Sequence, residues 1–375
     1  MIAGSVFLSE SGGRELFFAG ESPRGNDFLS EAQALLREYD CALAESGVSM
    51  ASEFLLRFHV SDIANQGALL RELLKERNTF VSIVGQPPAS RARIALEAWH
   101  IVPMRKRKLA PGAFRMSWEN YEAFLFRQER TVPGSYEQMK KDFESLQDFL
   151  QKENASVENN TLRTWIYCKD VDNNYAGLVK ARNDFFDTAN LTKETHFIAS
   201  TGIAGECEDP ARLVCMESLS GTGLVPGQIE HLYALENLSS TALYGVRFER
   251  GSKVVFGDRT HFYISGTASI DKEGNVLYPR DIRKQTERVM ENISALMQEG
   301  GGTLSDLKLA TVYLRDPADA ETVTETMGKY GLSALPKVVL KAPVCRPAWL
   351  VEVECIGVNA NKGEAFKPLA LSGRK

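Results

Sequence analysis

The sequence reads as an α+β protein built from three copies of one unit, each a mixed β-sheet with two helices on one face. Three observations lead there. A helix, a strand, an Asp-bearing turn and a second helix follow one another in the same order three times along 375 residues. Segments in which apolar and polar residues alternate flank each recurrence, and period-two alternation marks a strand with two different faces. The composition, 43% hydrophobic and 25% charged, is that of a globular chain, and the length suits two or three cores rather than one.

In the first copy a short strand, "ELFFAGE", precedes an amphipathic helix that begins near Leu29 and ends near Ser46-Gly47. The strand "EFLLRFHV" follows, Ser61-Asp62 supplies the helix-starting cap, and a second helix runs to Leu74. "RARIALEAWHIV" closes the unit as a further strand. The middle copy takes its early strands from "FRMSWENYEAFLFR", its helices from Tyr136 to Phe186, and its central strand from "LRTWIYCK", with Asp170 in the turn. "HFIASTGIAG" and "ARLVCMES" complete it. The last copy opens on "HFYISGTASIDKEGNVLYP", read as two strands around a Lys272-Glu273-Gly274-Asn275 turn. Its helices flank the strand "LKLATVYL" and Asp316, and "KVVLKAPV" and "AWLVEVECIGV" are its final strands.

These limits give expected units at 1–104, 113–247 and 253–360, with a polar, poorly ordered tail over 361–375. The first break is the basic stretch "PMRKRKLAPG", expected to be a solvated connector rather than a nucleic-acid patch in a chain of net charge −5. No apolar run is long enough to cross a membrane, and the start "MIAG" has no basic-then-apolar leader pattern. The six cysteines show no Cys-x-x-Cys spacing, and no histidine pair has metal-ligand spacing, so neither structural zinc nor a disulfide framework is expected. A reducing cytoplasm is the expected compartment. His59, His100, His196 and His261 sit in apolar strand patterns and read as core or edge residues.

The unit order, the strand "HFYISGTASID" and the terminal "VEVECIGV" resemble the RidA/YjgF superfamily of small trimeric proteins with the chorismate mutase-like fold, whose sites lie in clefts between subunits. The resemblance implies a pseudo-trimer in one chain: a monomer with internal threefold symmetry, or a weak oligomer, acting on a small molecule and not on nucleic acid or membrane. Over Thr161 to Val358, "RTWIYCKDVDNNYAGLVKARNDFF", "LYGVRFERG" and "VCRPAWLVEVE" look more narrowly like the chorismatases, which release pyruvate from chorismate. That likeness implies neither metal nor organic cofactor.

Chorismate is a dianion carrying a vinyl ether. Cleaving that ether needs an acid that stays protonated near neutral pH, and cations that hold the carboxylates. By position the resemblance assigns the acid to Glu352, reversing the pattern-only reading, which favours a solvent-facing glutamate; Glu354 reads as an ordinary solvated one. Cys345, seven residues earlier, matches a cysteine that accompanies 3-hydroxybenzoate formation, as a shaping residue or an assistant; a buried inert thiol is the other reading. Arg346 either reaches a substrate carboxylate or pairs with a neighbouring acid. Arg163, Tyr244, Arg247 and Arg250 are further anion-site candidates. If "LYGVRFERG" is extended, Tyr244 and Arg250 share one face and Arg247 takes the other. Thr201-Gly202 and Gly266-Thr267 are small residues at strand ends that suit close approach of a ligand or of backbone.

Two rival functions remain in view. An imine deaminase of the same superfamily would hold its substrate with an arginine fifteen residues before the strand glutamate, but Lys337 stands there. Arg91, Arg93 and Glu97 keep an arginine-plus-glutamate set in the first unit, so that cleft is a second candidate. A non-catalytic small-molecule binder is the other alternative, since fold does not fix function.

Overall fold

The computed structural model describes residues 2–128, 131–363 and 365–371. The first sheet contains β1 (Ile2–Leu8), β2 (Arg14–Glu21), β3 (Glu53–Val60), β4 (Phe80–Gly85) and β5 (Ile94–Val102), in the order β1-β2-β5-β3-β4. Helices α1 (Phe28–Glu45) and α2 (Ile63–Leu73) accompany it. The second sheet contains β6 (Arg105–Ala110), β7 (Ala113–Ser117), β8 (Glu122–Arg127), β9 (Thr161–Cys168), β10 (Ala199–Ala204) and β11 (Val214–Thr222), ordered β10-β9-β11-β8-β7-β6. It carries α3 (Ser135–Lys152), the one-turn α4 (Val157–Asn160) and α5 (Val171–Thr188). The third sheet has β12 (Ile229–Leu232), β13 (Gly251–Val255), β14 (Arg259–Ala268), β15 (Leu307–Leu314), β16 (Lys337–Lys341) and β17 (Val351–Ala360), ordered β12-β13-β14-β17-β15-β16, with α6 (Ile282–Glu299) and α7 (Ala320–Lys329).

One topology is thus repeated three times. In each sheet the strand after the first long helix lies parallel to an edge strand and antiparallel to the closing strand: β3 with β4 and β5, β9 with β10 and β11, β15 with β16 and β17. Local chemistry sets the helix starts. The side chains of Asp27, Asp62 and Asp281 accept hydrogen bonds from Ser30 N, Asn65 N and Lys284 N, capping α1, α2 and α6. The recurring turn aspartate is less uniform than its spacing suggests. Asp316 caps a short 3-10 turn ahead of α7, and Asp170 sits at φ 47° without a side-chain cap.

Three sequence expectations need correction. The stretch read as a solvated connector is β6, paired along β7; of its basic residues only Lys106 is half-buried and the other three are exposed, so no apolar rhythm betrays it. "NVLYP" is not a second strand, because only an Ile270–Val276 bridge forms there, while β12 and β13 extend the third sheet on its other side. The tail is packed as far as residue 371: Leu369 and Ala370 are buried, Leu369 N donates to Asp258 at 2.8 Å, and Leu371 bridges Gly12.

The inner faces of the three sheets share one core, in which Trp99, Trp165 and Tyr263 are buried. At its centre lie three register-equivalent glutamates. Glu97 stands opposite Arg57, Glu217 opposite Trp165, and Glu354 opposite Thr311. Each is held by the neighbouring unit in cyclic order: Thr311 Oγ1 donates to Glu97, Arg57 to Glu217 at 3.2 Å, and Trp165 Nε1 to Glu354 at 3.1 Å. A closed ring of this kind is the side-chain signature of pseudo-threefold symmetry within one chain.

Candidate active site between the second and third sheets

Alternation along β17 puts Glu352 and Glu354 on one face and Val351, Val353 and Cys355 on the other. Neither glutamate faces bulk solvent; they are 6% and 4% exposed. Glu354 is not the solvated residue the pattern suggested. Arg163 pairs with it at 2.7 Å, which fixes it in the central ring. Glu352 lies opposite Ala268 of β14 and Tyr313 of β15, at the floor of a cavity of about 620 Å³.

The room for that carboxyl comes from a bulge in β14 between Ile264 and Thr267 and from the glycine it contains. A Cβ on Gly266 would stand 2.1 Å from Glu352 Oε1 and 3.0 Å from Thr201 Cγ2. The bulge is pinned from the second sheet, where Thr201 Oγ1 accepts from Gly266 N at 2.8 Å and Ser265 Oγ accepts from Ser200 N at 2.9 Å. β10 therefore forms the opposite wall, and Gly202 lets the Tyr175 ring of α5 approach it, 3.3 Å from where a Cβ would be.

Burial pushes the Glu352 carboxyl up to about 8; the neighbouring Glu354 charge adds to the rise, and Arg250 and Arg163 pull against it. Its carboxyl thus holds a proton near neutral pH. Cys345 shares the cavity, half-buried, and interacts with Tyr175. Its thiol is pushed up to about 12 by desolvation and by Glu352, so it is neither a nucleophile nor a base at neutral pH.

Four arginines line the cavity. Arg250, 5% exposed, donates to Ser239 O at 3.2 and 3.1 Å and lies 5.3 Å from the Phe248 ring centre. Arg182 of α5 lies 5.9 Å from the same ring. Arg346 rests over Trp349 at 4.9 Å, and Trp349 is anchored by Nε1 donating to Ser269 O at 3.0 Å. Arg247 pairs with Asp187 and donates to Asn183 O at 3.2 Å. The expectation that Arg247 and Arg250 face opposite ways fails because the segment is not extended. A 3-10 turn at Thr241–Tyr244 and a left-handed Gly245 (φ 79°) break it, and both arginines reach the cavity.

Other candidates lie elsewhere. Arg163 is buried beside the cavity floor, bonded to Ser265 at 3.0 Å, to Thr201 and to Glu354; it supports the wall without lining it. Thr201 is the link in that support, and Thr267 is buried with its hydroxyl on Ser265 O at 2.9 Å. The Tyr244 side chain lies outside the described residues. Sequence reasoning missed Arg182 and Tyr175. They stand seven residues apart on one face of α5, and an arginine within the stripe that buries Leu178 and Phe186 was the available signal.

The rival sites lose their chemistry. The register partner of Glu352 is Ala95 in the first unit and Cys215 in the second, through the equivalent positions His59, Tyr167 and Tyr313. Glu97 belongs to the central ring, Arg93 pairs with Glu31, and Arg91 is exposed. Lys337 donates to the carbonyls of Leu332, Ser333 and Leu335 at 3.1–3.2 Å, so it is not an anion anchor. Among the described residues no group of three or more His, Cys, Asp or Glu side chains could hold a metal ion, and no helix is long and apolar enough to cross a membrane.

Comparison with known proteins agrees with this architecture. Residues 252–359 match the family model described as Endoribonuclease L-PSP. A RutC family protein of Pyrococcus abyssi (strain GE5 / Orsay) is 35% identical over 95 residues, which cover 25% of this chain and 75% of the relative. A solved chorismatase structure superposes with a TM-score of 0.64 at 17% identity, covering 82% of this chain and 93% of its own, a likeness of fold. RidA from the Antarctic bacterium Psychrobacter sp. PAMC 21119 aligns over 34% of this chain and 98% of its own, at 23% identity and a TM-score of 0.29. By its identity to the archaeal relative and by its three repeated sheets, the chain belongs to the RutC family of the RidA/YjgF superfamily.

Proposed function

We propose that the cleft between the second and third sheets cleaves the enolpyruvyl ether of chorismate, giving pyruvate and a hydroxybenzoate, with 3-hydroxybenzoate favoured. The observation that carries this reading is Glu352: a carboxyl pushed up to about 8 at the floor of a cavity lined by four arginines. A proton donor of that strength beside cations is what a dianionic vinyl ether requires. Arg250 and Arg182, 5.3 and 5.9 Å from the Phe248 ring, would receive the two carboxylates in this reading, with Arg346 over Trp349 as a third cation.

Glu352 gives its proton to the terminal methylene, which leaves an oxocarbenium ion. The bond between the ring carbon and the ether oxygen then breaks, that oxygen leaving as the carbonyl oxygen of pyruvate. The oxygen of the neighbouring ring hydroxyl moves onto the vacated carbon, so no outside nucleophile is needed. The ring loses a proton as it becomes aromatic, and that proton returns to the Glu352 carboxylate. Pyruvate and hydroxybenzoate together contain every atom of chorismate, so no net water is consumed. Cys345, a neutral thiol beside the acid, shapes the space in which the ring rearranges. The test is incubation with chorismate while pyruvate is followed and the aromatic product identified, with Glu352→Gln as control. Pyruvate with 3-hydroxybenzoate, absent in the variant, supports the reading; no pyruvate at high protein concentration refutes it.

A further inference from the structure

The central ring contains three glutamates, and three arginines neutralise them. Arg163 pairs with Glu354 at 2.7 Å, Arg57 lies 3.2 Å from Glu217 and 3.6 Å from Glu97, and Arg127 lies 3.5 Å from Glu217. His59 adds a contact to Glu97 at 3.2 Å. Within this set each carboxylate has its cation, and the third unit alone adds a fourth carboxyl, Glu352, where the others have Ala95 and Cys215. That extra group stands two residues from Glu354 on the same strand face, about 6.6 Å along the strand.

We propose that Glu354 is a positioning residue that acts through Glu352: its charge, fixed by Arg163 and Trp165, keeps the neighbouring carboxyl in the acid form. Cationic and N–H partners favour the charged form of a carboxyl, and a like charge on the same face disfavours ionisation of its neighbour. Glu354 has both kinds of partner, Arg163 at 2.7 Å and Trp165 Nε1 at 3.1 Å. The groups facing Glu352 are Tyr175 and Arg182 from α5, Arg163 from β9, Cys345 and Arg346 from the loop before β17, Arg250 from the segment before β13, and Tyr313 across the strand pair. Of these, only the arginines oppose the proton. A ring that closes the pseudo-trimer in the first two units would thus also tune the acid in the third.

The proposal rests on Glu352 being the acid, so it is best tested without turnover. The readout is the infrared carbonyl band of the protonated side chain, identified by its loss in Glu352→Gln and followed against pH. Removing the Glu354 charge by Glu354→Gln is expected to lower the midpoint by about one to two pH units, from Coulomb's law at a protein dielectric near 20. Arg163→Gln is expected to move it the opposite way, since this guanidinium itself draws the Glu352 carboxyl down. If Glu354→Gln does not fold, the double variant Arg163→Gln/Glu354→Gln decides the matter, its midpoint being expected about one to two units below that of Arg163→Gln. Glu217→Gln, which disturbs the same ring away from Glu352, is expected to leave the midpoint unchanged. An unmoved midpoint in Glu354→Gln, or equal shifts in Glu354→Gln and Glu217→Gln, overturns the proposal. Because no substrate enters the measurement, failure of the chorismate reading would appear separately, as absent pyruvate over an intact titration.

Discussion

Replacing Glu352 by glutamine is expected to stabilise the folded protein, and by an amount that grows with pH. The wild-type carboxyl goes from an ordinary 4.5 in the unfolded chain to about 8 in the fold. Below the lower value both states hold the proton, and burial of the neutral acid carries no ionisation cost. Between the two values the unfolded chain has lost the proton and the folded one keeps it, so stability falls as pH rises, by about 1.4 kcal/mol per unit. The cost reaches about 3 kcal/mol at pH 7 and levels off near 5 kcal/mol above pH 8. These are upper figures, because the carboxyl opens on a solvated cavity. Glutamine, similar in shape and unable to ionise, removes the pH-dependent part. Urea unfolding of both proteins at pH 5, 7 and 9 measures the gap. A difference under about 1 kcal/mol at pH 5 that widens to several at pH 9 is expected. A gap that stays constant with pH would refute the assignment of a raised, buried acid to Glu352.

Gly266→Ala should abolish pyruvate release, by about a hundredfold or more, because its Cβ would occupy the place of Glu352 Oε1. Steady-state kinetics beside a thermal melt separates this from unfolding. Arg250→Met should raise KM for a dicarboxylate and move the Glu352 titration further up, since this guanidinium draws it down; a pH series of kcat/KM reads both. Cys345, with its thiol pushed up to about 12, should react slowly with iodoacetamide at pH 7.5 by intact-mass measurement. Cys345→Ala should keep pyruvate release while changing the aromatic product. Trp165→Phe removes the donor to Glu354 and should cost about 1–3 kcal/mol in urea unfolding.

How far the sequence revealed this molecule depends on which physical signal each residue carried. The repeat was legible because burial imposes period-two patterns on strands and period-3.6 patterns on helices, and because Asp62 and Asp281 are true caps. β6 was not, since its basic residues lie on both faces and leave no rhythm. Alternation placed Glu352 and Glu354 on one face but could not say that the face is internal; that follows only from the three sheets closing around a common core. Arg163 and Arg250 looked alike in sequence, and tertiary packing sends one into the ring and the other into the cavity. Arg182 was concealed by a helix whose apolar stripe it interrupts. The order in "FKPLAL" was concealed by a polar surround, although its Leu369 and Ala370 are buried.

The measurement that bears most directly on the central claim is the pH dependence of pyruvate release from chorismate between pH 6 and 10, for the wild-type protein and for Glu352→Gln. A rate that is high at pH 6–7, falls through a single ionisation near 8 and is absent in the variant is the expected result. A rate that rises across that range, or that survives in Glu352→Gln, would contradict it.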